Sequence, residues 1–550
     1  MGGFKIVEDR PTPKAVYNRR IYALSLICAA GALTFGYDNA FLGTTIARPG
    51  FQRDFGFTQH SAAWITQTTS NLTSVFLAGA AIGSLIAWPF MEHYGRVKPL
   101  QGASAIFIAG AAIMTATPGN LALMYAGRVI TGLGVGCLTA VIPTFIAEMA
   151  PPPIRGQLTG FFDIAYQIGA LTGFWINYGI TKTLPATSPS AWRIPMAVQL
   201  IPSGLFAIGT LFMKESPPWL LRKGRDDEAM ANLSYIRGLP ADHTYMLEEV
   251  GMVRAIMEEE ARVAGNVPGM WGYLRGAARE LSRPSMLHRV NLIFFIFEFM
   301  CFSGALSLNY YCVFYSPQIF ASVGITDTAL YTGIYGLFKA LGAITFYLFI
   351  IDRAGRRQPW LLSSGMCCLT LIYLAVYVKV AAPGAKDATG ALLPISSSSA
   401  AGGKAAIFII MLFSMCWGFG GNGLPWIVTS EMFPISLRSI TGAYASFHHW
   451  LASFAVTMSS LPIKNSWGWG MFLFYAAINA ITFIFTYFLI PETKGVPIEC
   501  MDMLWGGKTK YTQFRQRAVY PPDGIPPFPA ELIHDTDLDA KQDTEHVEQV

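Results

Sequence analysis

Phe35-Gly-Tyr-Asp38-Asn-Ala-Phe-Leu-Gly43 lies inside the first long apolar run of the chain, near 21–43, and places one carboxylate there. An ionisable group in a membrane-spanning helix is costly, faces a bundle interior or a water-filled cavity, and marks an ion or substrate path by default. Asp38 is therefore the first candidate functional residue. Two questions follow: which membrane architecture surrounds it, and which cation answers its charge.

The composition is that of a membrane protein. Of 550 residues, 53% are hydrophobic and 13% charged, about half the charged fraction of a soluble domain. A net charge of +5 without any long basic run excludes nucleic acid as an expected partner. The eight cysteines fall mostly in apolar runs, with no CxxC pair and no metal-ligand spacing. They read as small core residues, and no metal or other cofactor is expected. Residues 1–20 are polar and basic, and the run behind them is too long for a signal-peptide core and lacks a convincing cleavage site, so it is expected to stay as the first span.

Apolar runs near 21–43, 68–90, 100–117, 121–143, 158–180 and 193–213, then near 289–315, 329–351, 360–381, 405–428, 439–462 and 469–490, predict an all-α membrane protein of twelve spanning helices. Each is close to the ~20 residues a bilayer requires. The expected plan is a tail (1–20), a six-helix half (21–213), a linker (214–288), a second six-helix half (289–490) and a second tail (491–550). The linker reads as solvated, with short amphipathic helices such as 246–260. Lys and Arg concentrate in the first tail, the linker and the even-numbered loops (Arg96, Lys98, Arg155, Arg353, Arg356, Arg357, Arg438), which puts both termini and the linker in the cytoplasm. Segment 382–404, rich in Ala, Gly and Ser, becomes an outside loop.

The halves echo one another. Glu92-His-Tyr-Gly95-Arg96 after the second run matches Asp352-Arg-Ala-Gly355-Arg356 after the eighth. Glu148, Pro151 and Arg155 share their spacing with Glu431, Pro434 and Arg438, and Glu215-Ser-Pro217 answers Pro491-Glu492-Thr. Each motif sits where a helix meets the basic side. Opposite charges there form networks that latch helix ends in one state and release them in another, as a two-half rocking transporter requires.

With these loops, Arg128-x-x-x-Gly132-x-Gly134-x-Gly136, Glu215-Ser-Pro-Pro-Trp219 and Pro491-Glu-Thr-Lys-Gly495, the chain resembles the sugar porter family of the major facilitator superfamily over roughly residues 21–505. That resemblance implies two six-helix halves and alternating access about a central site. It also implies proton coupling through Asp38 and Arg128, because proton-coupled members carry an Asp and an Arg at these positions. Asp38 lies about seventeen residues into its helix and Arg128 about seven into its own from the other side, at compatible depths for a 1.5 Å rise per residue. A static ion pair holding the first half together is the alternative reading.

For the substrate, Gln167, Trp426 and Trp450 resemble the sugar-binding Gln and pocket aromatics of the family. On helix 7 the usual Gln pair is absent in either of two registers, leaving Asn309 and Tyr310 as candidates to reach a hydroxyl. Glu298 and Lys339 both fall near midplane. One reading pairs them; the other has Lys339 neutralise an anionic substrate. His449 occupies a ligand position of the family. Val7-Glu-Asp-Arg-Pro-Thr-Pro-Lys14, Phe41-Leu-Gly-Thr-Thr45 and Gly333-Ile-Tyr-Gly336-x-x-Lys339 resemble fungal quinate permeases within that family.

The function expected is thus proton symport of quinate or a related polyhydroxy carboxylate across the plasma membrane, with the small molecule, the proton and the lipid bilayer as partners. A hexose, pentose or sugar-acid transporter of the same family is an alternative, and so is a non-transporting nutrient sensor. Against the sensor stands the short tail after 496. No nucleophile constellation or metal cluster supports an enzyme, and Gly132, Gly134 and Gly136 suit close helix packing better than a phosphate cradle.

Overall fold

A computed structural model describes residues 12–151, 154–264, 270–305, 328–381, 397–433 and 437–493. The described residues form helices and connecting turns without strands, as lipid demands of a chain that must satisfy its own backbone. The first six membrane helices are α1 (Arg19–Ile46), α2 (Ala62–Tyr94), α3 (Val97–Ala116), α4 (Leu121–Met149), α5 (Arg155–Thr183) and α6 (Ser190–Thr210). The second six are α7 (Pro284–Met300), α8 (Thr328–Thr345), α9 (Arg357–Ala381), α10 (Ser397–Cys416), α11 (Arg438–Trp467) and α12 (Gly470–Leu489).

Local sequence sets the ends. Asn18 caps α1 by accepting from Arg20 N at 2.9 Å and Ile21 N at 3.3 Å, and Asn120 caps α4 by accepting from Ala122 N at 2.9 Å. Three helices of the second half pass into five-residue π turns: α7 at Cys301–Ala305, α8 at Phe346–Ile350 and α10 at Trp417–Gly421, beyond which α10 resumes at Leu424–Glu431. Such turns widen a helix locally and recur at functional sites.

Among the described residues, ten helices are long and apolar enough to cross a membrane by length and composition. The two of the twelve that fall outside that measure are α5 and α11, which at 29 and 30 residues are ample in length. They are too polar, carrying Asp163, Gln167 and Asn177 in one and Ser446, His448, His449 and Ser453 in the other. Their positions explain this. The fifth helix of each half packs against the second helix of the other half, α5 on α8 and α11 on α2, so both line the seam between the halves.

Within the first half, α2 and α4 touch backbone to backbone. A Cβ at Gly136 would lie 1.9 Å from the carbonyl oxygen of Ala80. Between α1 and α5, one at Gly36 would lie 2.1 Å from the carbonyl oxygen of Tyr166. Small residues at these crossings replace the hydrophobic drive that lipid cannot supply.

The segment between the halves is more organised than a solvated linker. Helices Pro217–Arg222, Asp226–Arg237 and Thr244–Ala264 bury Trp219, Leu220, Leu233, Met246 and Val250 around Val16 of the N-terminal segment. Arg237 ties this unit to the end of α4, donating to Met149 O at 2.7 Å while pairing with Glu249 at 2.6 Å. The amphipathic periodicity was visible in the sequence, but the partner for its apolar face was not.

Gly136→Val should force α2 and α4 apart, with a loss of about 1–3 kcal/mol as for other overpacked sites. The check is a lowered thermal midpoint of the purified protein. An unchanged midpoint would show that the crossing relaxes freely.

Candidate functional site

Asp38 and Arg128 meet in the first half. Arg128 Nη1 donates to both carboxylate oxygens of Asp38 at 2.9 Å, and Nε donates to Leu72 O at 3.2 Å. The guanidinium sits 4.3 Å above the ring of Phe76. Asp38 is 0% and Arg128 1% exposed. α1, α2 and α4 thus surround a charge pair satisfied on every side, which is the condition for keeping it in a low-dielectric interior.

A second centre spans the seam. Lys339 of α8 is 3% exposed, and its ammonium lies 4.8 Å from the ring centre of Trp417 and 5.7 Å from that of Tyr166. The carboxylate in electrostatic reach of it is Asp163 of α5. Asp163 also accepts from Asn422 Nδ2 beyond the α10 π turn and contacts Tyr347 of the α8 π turn. Gly423 makes that approach possible, since a Cβ there would occupy the Tyr347 hydroxyl. Gln167, one turn along α5, is 1% exposed; it lies beside Asp163, yet neither amide atom completes a hydrogen bond of good geometry among the described residues. The second oxygen of Asp163 is likewise buried without a partner. Buried polar atoms in this state are what a polar ligand satisfies.

The pairing of Lys339 with Glu298 is not what the structure shows. Glu298 has no charge contact with Lys339 among the described residues; the anion near the ammonium is Asp163. α7 and α8 are neighbours in sequence, but α8 packs on α5 and α10 while α7 packs on α11 and α12.

Trp426, His449 and Trp450 form an aromatic group on α10 and α11. The His449 ring lies 5.1 Å from Trp426 and 4.9 Å from Trp450, and its Nδ1 is 3.6 Å from Cys301 Sγ. Trp450 Nε1 donates across the seam to Thr139 of α4 at 3.0 Å, and Thr139 in turn contacts Ser446 of α11 at 3.0 Å. Asn309 and Tyr310 lie outside the described residues.

At the basic end the sequence echoes become two matching constellations. Arg96 pairs with Glu148 at 2.7 Å and approaches Glu92 at 3.6 Å. Glu215 accepts from the backbone N–H of Arg96 at 2.8 Å and of Val97 at 3.1 Å, so it caps α3. In the second half Arg356 pairs with Glu431 at 3.0 Å, and Glu492 accepts from the N–H of Arg356 at 2.9 Å and of Arg357 at 3.0 Å. Gly95 and Gly355 take positive φ, +93° and +79°, where a side chain would also strike the Glu215 or Glu492 carboxylate. Ser216 and Thr493 complete the match, each donating its hydroxyl at 2.5 Å to the Glu148 or Glu431 carboxylate. Burial opposes the charge on Arg96, but Glu148 and Glu92 outweigh it and hold the guanidinium more firmly protonated than a free arginine. Arg438 begins α11 half-buried, while the side chains of Arg155 and Asp352 lie outside the described residues.

Asp163, Tyr347, Asn422 and Trp417 were absent from the sequence-derived site. For Asp163 a signal existed: Phe161-Phe-Asp163-Ile-Ala165 is a carboxylate inside an apolar run, the same signal that singles out Asp38. The others are ordinary helix residues until π turns and the seam bring them to one point.

A bundle of two six-helix halves with charged residues buried at the seam and paired charge networks at one end is the architecture of a major facilitator transporter. The chain matches the family model described as "Sugar (and other) transporter" over residues 24–505. It is 39% identical over 508 residues to a probable quinate permease of Aspergillus fumigatus, which spans 92% of this chain and 90% of the relative. The quinate permease of Emericella nidulans is 38% identical over 510 residues, covering 92% of each chain. Among solved structures, the proton:xylose symporter XylE bound to 6-bromo-6-deoxy-D-glucose superposes with a TM-score of 0.72 at 23% identity, covering 88% of this chain and 99% of that one. Inward-open XylE from E. coli gives 0.64, also at 23% identity, covering 88% of this chain and 100% of that one. The chain therefore belongs to the sugar porter family, a family of membrane transporters and not of enzymes.

Removing one partner of a buried ion pair typically costs about 3–5 kcal/mol. Arg96→Met and Glu148→Gln should each destabilise the protein toward that range, and the double variant should lose less than the two losses together. Thermal unfolding of the three variants measures this; strictly additive losses would mean the pair contributes no coupling.

Proposed function

We propose that the chain is a plasma-membrane secondary transporter that carries quinate or a related polyhydroxy carboxylate together with protons. Its halves, 21–213 and 289–490, rock about the seam, with the basic end, the linker and both termini in the cytoplasm. The observation that carries the substrate class is Lys339: a buried cation between the halves, flanked by two aromatic rings, in a family whose neutral sugars require no such charge. The quinate permeases among the relatives support the same choice.

In this reading Lys339 receives the substrate carboxylate and Gln167 takes ring hydroxyls with both free amide atoms. Trp426, His449 and Trp450 face the C–H side of the ring, joined by Asn309 and Tyr310 from helix 7. Asp38 carries the coupling proton. Arg128 stabilises the ionised form, and a rearrangement that separates the pair lets the carboxylate take a proton. The networks of Glu92, Arg96, Glu148, Arg155 and Glu215, and of Asp352, Arg356, Glu431, Arg438 and Glu492, latch the basic end in one state and release it in the other.

Vesicles containing the purified protein, given an inward proton gradient, should accumulate labelled quinate, and an uncoupler should abolish accumulation. Asp38→Asn should lose accumulation while keeping exchange; concentrative uptake by this variant would remove Asp38 from the coupling role. Lys339→Gln should weaken quinate transport by at least tenfold and spare neutral polyols. Equal losses for both substrate types would instead assign Lys339 to holding the halves together.

A further inference from the structure

The two buried charge centres differ in how they are held. Asp38 and Arg128 sit in one half, and each is enclosed by partners of that half. Asp163 and Lys339 sit in different halves, on packed helices, within electrostatic reach of one another, the Lys339 ammonium lying 5.7 Å from the ring of Tyr166, three residues along from Asp163. The groups around Asp163 are Lys339 and Tyr347 of α8, Asn422 beyond the α10 π turn, and Tyr166 and Gln167 of its own helix. Lys339 is the one cation in that set. One oxygen of Asp163 takes the Asn422 amide, and the other, with Gln167 and Tyr347 beside the carboxylate, completes no hydrogen bond of good geometry.

The charge count of this cluster has a consequence for any anionic substrate. Empty, the site holds one carboxylate against one ammonium and is neutral. A substrate carboxylate arriving at Lys339 puts two carboxylates against one cation in a region of low dielectric. Two like charges sharing such a site do not both stay ionised; one of them takes a proton. The substrate carboxylate competes for the ammonium, whereas Asp163 has an oxygen that completes no hydrogen bond of good geometry, where a proton can reside.

We propose that Asp163 is the counter-charge of Lys339 in the empty transporter and accepts a proton when the substrate carboxylate displaces it. This rests on the anionic-substrate reading above and adds to it a second proton, bound at the substrate site and distinct from that of Asp38. The balance is simple: the proton comes from the entry side, bonds to the free oxygen of Asp163, and no other bond forms or breaks. The loaded seam then has the same net charge as the empty one, and the proton on Asp38 supplies the positive charge moved by the membrane potential. Protonation also ends the attraction between Asp163 on α5 and Lys339 on α8, which in the empty state draws the two halves together. Substrate binding and release of the seam become one event.

The test is proton uptake on binding. Purified full-length protein in weakly buffered detergent solution is mixed with quinate, and a pH indicator is read beside a binding isotherm. Wild type should take up one proton more per quinate bound than Asp163→Asn, and the same difference should separate Asp38→Asn from the Asp38→Asn/Asp163→Asn double variant. Asp163→Asn should bind quinate with that one proton lost from the uptake, and its apparent Kd should weaken less as pH rises. Asp163→Glu should restore both behaviours. Quinate binding to wild type without proton uptake, or an uptake undiminished in Asp163→Asn, overturns the proposal, and the first of these stands on wild type alone even if the asparagine variant folds poorly. If quinate fails to bind wild type at any pH while a neutral cyclitol binds, the anionic-substrate reading itself is what fails, and this proposal falls with it.

Discussion

An ionised side chain inside the hydrocarbon layer has no water to answer it, so an opposite charge must come from another helix. The central charges of this transporter obey that constraint. Asp38 of α1 meets Arg128 of α4 at 2.9 Å, and Lys339 of α8 faces Asp163 of α5. Because each partner sits on a different helix, neutralising the charge also specifies which helices are neighbours. The first pair ties helices within one half. The second joins helices from opposite halves, which makes it sensitive to any motion between them.

The packing around these pairs follows from the same solvent. Lipid gives helices no hydrophobic reason to associate, so contact depends on close approach and on polar groups. Gly36 and Gly136 bring α1 to α5 and α2 to α4 at backbone distance. Each half is therefore packed backbone to backbone, while the seam carries side-chain contacts such as Trp450 to Thr139 and Asn422 to Asp163. The π turns of α7, α8 and α10 all lie in the second half, so that half carries the local backbone adjustments that aim Tyr347 and Trp417 at the centre.

At the basic end the two constellations of Arg, Glu, Gly and hydroxyl residue are built to one plan. In each, a glutamate following the last helix of a half caps the N-terminus of the third helix, while an arginine, buried in the first half and partly buried in the second, reaches the end of the fourth. The charges are thereby shared among the ends of several helices. A network of this kind joins those ends through charge-assisted hydrogen bonds, the stronger class of such bonds.

Much of the molecule was legible in one dimension. Apolar runs of bilayer length announced the helices, and the paired loop motifs announced the two-fold repeat. Asp38 and Arg128 were paired through the family resemblance, and their depths agreed, because the rise per residue of a helix turns sequence position into position across the membrane. Lateral neighbours were not legible. Depth says nothing about which helix stands beside which, so Lys339 could be set at midplane but not assigned to Asp163, and Glu298 on the preceding helix looked equally near. Only the tertiary arrangement, in which α8 turns toward α5 and α10, decides that pairing, because the order of helices around a bundle is fixed by how their surfaces pack and not by their order along the chain.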